Sequence, residues 1–183
     1  GNEKAGISAE TGQPSVLLLS TAMRVGGAER VVLDLAHAFM DLGVPTKVMG
    51  LSNERQMLDK VDMRDIDIRF LGMRKTPAGL LSASRTLARL VRDEGIDIVH
   101  AHMPHAVLVA SAARLLHGLS VPIVHTSHNS QFNASLAVPL WLTRRLRDVD
   151  VLLAPGQHES LNAARTAVIP NGTRFVPSTN SRR

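Results

Sequence analysis

Gly26, Gly27, Ala28 and Glu29 lie between a short apolar run and the first amphipathic segment of the chain. A strand-to-helix turn of this kind offers exposed backbone N–H groups and the positive end of a helix dipole, which together favour an anion such as a phosphate. The alternative is a tight turn that uses glycine only for its backbone freedom. The three-glycine dinucleotide fingerprint is missing, and Asn53 rather than an acid follows the second apolar run, which disfavours a nicotinamide dehydrogenase. His100, His102 and His105 fall at the end of one predicted strand and in the loop after it. Imidazoles so placed can bind a metal, but no cysteine or acid stands close in sequence to complete a coordination shell. Hydrogen-bonding or buried histidines, and no metal site, are therefore expected. His125 and His128 straddle the end of a further strand. His128 is the better placed to reach over the sheet edge into a cleft, and the polar Asn129 and Ser130 follow it.

Two basic segments stand apart from these loops. Arg85, Arg89 and Arg92 share one face of a predicted helix, with Leu80, Leu81, Leu87, Leu90 and Val91 mainly on the other and Arg74 and Lys75 just upstream. Arg144, Arg145 and Arg147 follow Trp141. Solvated helix faces are the plainer reading; the sharper one is attachment to an acidic membrane surface. A net charge of +5 favours some anionic partner, whether nucleic acid, acidic headgroups or a phosphorylated substrate. Aromatic residues make up only 3%, with no tyrosine, which argues against a single-strand nucleic-acid platform. The chain has no cysteine, so disulfides, thiolate metal sites and cysteine nucleophiles are excluded.

The elements that must position these residues are read from periodicity. Residues 15–20 (SVLLLS) form a continuous apolar run, as expected of a parallel strand buried on both faces. In residues 28–42, Val31, Val32, Leu35, Ala38, Phe39 and Leu42 recur at helical spacing before Gly43 and Pro45. Further strands are predicted at 46–51, 66–71, 97–101, 121–126, 149–153 and 166–169, and further helices at 77–94, 105–117 and 140–147. This alternation selects an α/β fold: a single Rossmann-like domain with a mostly parallel sheet and helices on both faces. Ligands in such sheets bind beyond the carboxyl ends of the strands, here the loops after Ser20, Ala101 and Thr126. Residues 1–14 read as an unstructured lead-in, 15–172 as the domain and 173–183 as a polar tail or linker. No apolar stretch approaches the ~20 residues that span a bilayer.

With those residues in place, the chain resembles the N-terminal domain of the retaining nucleotide-sugar glycosyltransferases of family four, which have the two-Rossmann-domain GT-B fold. The resemblance covers roughly residues 15–175. It rests on Gly26-Gly27-Ala28-Glu29-Arg30-Val31-Val32, on Asp97-Ile98-Val99-His100-Ala101-His102-Met103-Pro104-His105-Ala106, on His125-Thr126-Ser127-His128-Asn129 and on Ile169-Pro170-Asn171-Gly172, in the family's order. The His-Met-Pro-His-Ala and Ser-His-Asn versions look like transferases that build cell-surface polysaccharides.

The resemblance implies an acceptor-side half in which Gly26 and Gly27 face the donor diphosphate and acceptor. It makes His128 the catalytic contact to donor sugar or acceptor, and places His102 and Asn129 among the substrate-binding residues. It implies a nucleoside diphosphate sugar as donor, no required cofactor, and a C-terminal donor domain beyond Gly172 that holds most of the nucleotide-sugar site, so that this half alone is inactive. The expected acceptor is a sugar, polysaccharide or lipid-linked molecule, the expected location cytoplasmic or peripheral at the inner membrane face, and no nucleic-acid partner is expected. Two other classes fit the residues: a non-catalytic acceptor-binding or membrane-recruiting subunit of a split transferase, and a nucleotide-binding Rossmann domain without transfer chemistry.

Overall fold

The computed structural model describes residues 12–23, 27–60, 65–128, 134–152 and 162–169. Within them lie seven strands, β1 Val16–Ser20, β2 Thr46–Gly50, β3 Asp67–Phe70, β4 Ile98–His102, β5 Ile123–Thr126, β6 Val149–Leu152 and β7 Thr166–Val168. The helices are α1 Gly27–Asp41, α2 Pro77–Asp93, α3 Pro104–His117 and α4 Ala137–Thr143. The strands form one sheet in the order β3-β2-β1-β4-β5-β6-β7, and all six pairings are parallel. This is the Rossmann-like α/β architecture that the alternating pattern selects.

All five residues of β1 are buried, because the strand is central and covered on both faces. Its side chains alternate between two cores. Leu17 and Leu19 pack with Leu87 of α2 and Val107 of α3, while Val16 and Leu18 pack with Val32, Leu33 and Ala36 of α1. So α1 covers one face of the sheet, and α2 and α3 cover the other. Burying each such leucine contributes about 1.5–3 kcal/mol. The stripe read from the sequence of α1 is rotated in the fold: Val32, Leu33 and Ala36 point inward, and Leu42 is 73% exposed.

Helix α2 begins where the sequence signals it. The Thr76 hydroxyl accepts a hydrogen bond from the Gly79 N–H at 3.1 Å, and Pro77 occupies the first turn, where its missing N–H costs nothing. Gly95 follows the helix at φ +63°, a conformation that suits a residue without Cβ. The helix predicted over 140–147 differs. It starts earlier, as α4, passes into a 3₁₀ turn at Arg144–Leu146, and leaves Arg147 extended. The lead-in lies almost entirely, and the tail wholly, outside the described residues.

The topology creates a crevice. From β1 the chain steps outward to β2 and β3, then returns to lay β4 against the other side of β1. The connections after β1 and β4 therefore diverge, and a ligand can enter between the carboxyl ends of these two strands. Ser20 pairs with His102 there, and His102 pairs with Thr126.

Candidate functional site

The alternation of β4 decides which histidines meet. Val99 and Ala101 face the core under α2 and α3, so His100 and His102 face the side covered by α1. Their rings lie with centroids 4.1 Å apart. His100 Nε2 is 2.6 Å from the Thr126 hydroxyl, and His102 Nδ1 is 2.8 Å from His128 Nε2. Three of the histidines singled out from sequence thus converge at the carboxyl edge. His105 does not join them; it sits half-buried in the first turn of α3, beside Lys75.

Burial keeps this group uncharged. It pushes His100 and His128 down to about 4, with nearby histidines reinforcing the shift, and it pushes His102 well below the ordinary histidine range. At neutral pH the cluster is a set of neutral donors and acceptors. One polar atom of the cluster, the buried His102 Nε2, has no hydrogen-bond partner among the described residues. Buried orphans of this kind are uncommon and cluster where ligands or strain are accommodated. Strain is present too. Met103, between His102 and α3, has φ +78° and ψ 151°, a region costing a non-glycine residue roughly 1–3 kcal/mol.

Gly27 opens α1 on the same edge, and a Cβ built on it would meet nothing within 4 Å. The opening turn of α1 leaves its first backbone N–H groups without partners inside the helix. Strands β1 and β5 flank β4, so their ends stand about 10 Å apart, two strand spacings. Gly26 and Asn129 lie outside the described residues.

Among the basic residues, Arg85, Arg89, Arg92 and Arg145 are exposed, and Arg144 stacks over the Trp141 ring at 4.3 Å. Arg147 corrects the expectation of a membrane-facing basic segment: only 5% of it is exposed. Its guanidinium clamps Asp150 through Nε at 2.9 Å and Nη2 at 3.1 Å, and donates to the Leu140 carbonyl. An uncompensated carboxylate on the covered face of the sheet is too costly to bury, so the nearest arginine turns inward. His125 completes this second cluster, 3.2 Å from Asp150 and on the opposite sheet face from His100. Burial alone would raise Asp150, but the bonds from His125 and Arg147 outweigh it and hold the carboxyl at about 2. Sequence reasoning missed the cluster; the signal was an acid amid the apolar residues of β6, Val149-Asp150-Val151-Leu152.

An apolar groove of about 560 Å³ opens on the other face. Pro77, Leu80 and Leu81 of α2 face Leu108, Leu115 and Leu116 of α3 across it, and Arg74 and Lys75 stand at the end nearest the carboxyl edge. Among the described residues no three acids or histidines converge as metal ligands.

A doubly wound parallel sheet with a histidine cluster at its switch point defines a Rossmann-like α/β domain. The chain belongs to glycosyltransferase family 4, whose model matches residues 25–174. Its fold is that of the N-terminal half of GT-B enzymes. It superposes on Acinetobacter baumannii MurG with a TM-score of 0.66 at 16% identity, covering 88% of this chain and 47% of that one. For the lipopolysaccharide outer core galactosyltransferase WaaB the TM-score is 0.70 at 16% identity, with 87% and 46% covered. For Anabaena HepE in complex with UDP and glucose it is 0.66 at 17%, with 88% and 45% covered. The chain spans a little under half the length of these three structures. No curated protein matches the sequence.

Proposed function

We propose that this chain is the acceptor-side half of a retaining glycosyltransferase that takes a nucleoside diphosphate sugar as donor and needs no resident cofactor. The observation that carries the reading is the pairing of His102 with His128 at the switch point of a family 4 domain, on the sheet face that α1 covers. In this reading the N–H groups at the start of α1, with Gly26 and Gly27 allowing close approach, stabilise charge developing on the leaving diphosphate. His128, with Asn129 beside it in sequence, contacts an oxygen of donor sugar or acceptor. A second, C-terminal domain supplies the rest of the nucleotide site, so the chain alone transfers no sugar.

Titrating the two-domain protein with UDP-glucose is expected to move the amide signals of Gly27 to Arg30 and the ring signals of His128, while uridine leaves them in place. Equal responses to both compounds would leave a plain nucleoside-binding domain. In the two-domain protein, His128→Ala is expected to lower turnover on the order of 10²-fold with the melting temperature preserved.

The groove favours an acceptor carried on a lipid. Its apolar walls suit a hydrocarbon chain, and Arg74 and Lys75 suit the phosphate that joins such a chain to a sugar. Leu81 at its margin heads a stripe at helical spacing, Leu81, Arg85, Arg89 and Arg92, all exposed, which fits a face lying on anionic headgroups. No described helix is long and apolar enough to cross a membrane.

A further inference from the structure

We propose that His102 is a positioning residue that fixes the tautomer of His128, so that His128 offers ligands an Nδ1–H donor rather than a base. The inference deepens the reading above and rests on it only for the identity of the ligand.

One proton lies between His102 Nδ1 and His128 Nε2, which are 2.8 Å apart. Both rings are buried enough to be neutral at pH 7, so each carries a single N–H. Two arrangements remain. If His128 donates from Nε2, His102 must carry its own proton at Nε2, and that atom is buried with no acceptor among the described residues. If His102 donates from Nδ1, the orphan is a bare lone pair and the proton of His128 is forced onto Nδ1. A buried N–H without an acceptor is the rarer state in folded proteins, as the backbone census shows, so the second arrangement is favoured. His100 does not compete for the proton, because its Nε2 is engaged by the Thr126 hydroxyl at 2.6 Å.

The consequence is chemical. With Nε2 occupied and Nδ1 protonated, His128 cannot take a proton from a hydroxyl. It can donate to an oxygen acceptor, the class that includes phosphoryl oxygens and the lone pairs of sugar hydroxyls. In this arrangement His102 acts through His128, holding it in the donating form.

Long-range proton–nitrogen correlation on the 183-residue chain reads the tautomer directly, with His128 identified by the signals lost in His128→Gln. The expected result at pH 7.5 is a protonated Nδ1 and a lone-pair Nε2 on His128. His102→Leu should return His128 to the Nε2–H form that free neutral histidine prefers. His102→Asn, whose amide nitrogen stands where Nδ1 stood, should retain Nδ1–H. A native His128 bearing Nε2–H overturns the proposal whether or not any variant folds, and so does a His102→Leu spectrum with the tautomer unchanged. The expected tautomer together with no response of the two-domain protein to UDP-glucose would break the transferase reading and leave this one intact.

Discussion

On the α3 and α4 side of the sheet every lone pair direction of Asp150 is used: Oδ1 accepts from His125 and Arg147, and Oδ2 from Arg147 and the Ala163 N–H. On the α1 side, His102 is as fully buried, yet its Nε2 has no partner among the described residues, while His100 and His128 stand half-buried around it. Both clusters draw on β5, and both place ionisable groups where burial penalises charge. The difference lies in satisfaction. A fully bonded ion pair locks β6 and β7 to α4 and has nothing left to offer a ligand. The histidine group stays neutral and incompletely bonded at the edge where the topology opens a crevice, which is how a site differs from a structural anchor.

Removing one member of each cluster should separate them most widely. Asp150→Ala strands the Arg147 guanidinium in the interior, and breaking a buried pair in this way costs about 3–5 kcal/mol. His102→Leu removes a neutral ring and replaces it with apolar bulk, so its cost in urea unfolding should be clearly smaller. A smaller loss for Asp150→Ala than for His102→Leu would reverse the roles assigned here.

Acid should undo the clusters in order. His100 and His128 titrate near 4 in the fold against an ordinary 6.5, and the unfolded chain binds their protons first. Their contribution is complete above pH 6.5 and is lost as the pH falls towards 4. Asp150 is depressed from 3.8 to about 2, so its contribution is complete above pH 3.8 and is lost only below it. Urea midpoints should therefore decline between pH 7 and 4.5, and His102→Asn should flatten that decline. A midpoint constant from pH 7 to 5 would mean that the histidines are not held neutral by burial.

Much of this was legible from local pattern. The run at 15–20 reads as a buried central strand, and Pro77 and Gly95 punctuate α2, because proline and glycine act on the residues beside them; the Thr76 cap was not read. End-of-strand position brought out His128 and His102. Their direct contact depends on β4 pairing with β5, and lateral pairing is a non-local choice that spacing along the chain does not encode. Arg147 was misread for the same reason. Within a basic segment it looks like its neighbours until the register of β5 on β6 sets His125 beside Asp150 and creates a buried carboxylate to be answered.

Arg145 and Arg147, two residues apart, carry the comparison to its smallest effect. Arg145 is exposed beside the Trp141 and Arg144 stack, whereas Arg147 is consumed by Asp150. A basic residue near an acidic lipid surface contributes about 1 kcal/mol to association, so Arg145→Glu should weaken sedimentation with anionic vesicles several-fold, more in low salt than in high. Its melting temperature should stay near that of the parent, since the substituted side chain is in water. Arg147→Met should do the opposite: it uncovers the Asp150 charge and lowers stability, while vesicle binding by the fraction that remains folded is unchanged. Equal vesicle binding by the parent and Arg145→Glu would remove this segment from the lipid-facing surface and leave the stripe of Arg85, Arg89 and Arg92 to carry it.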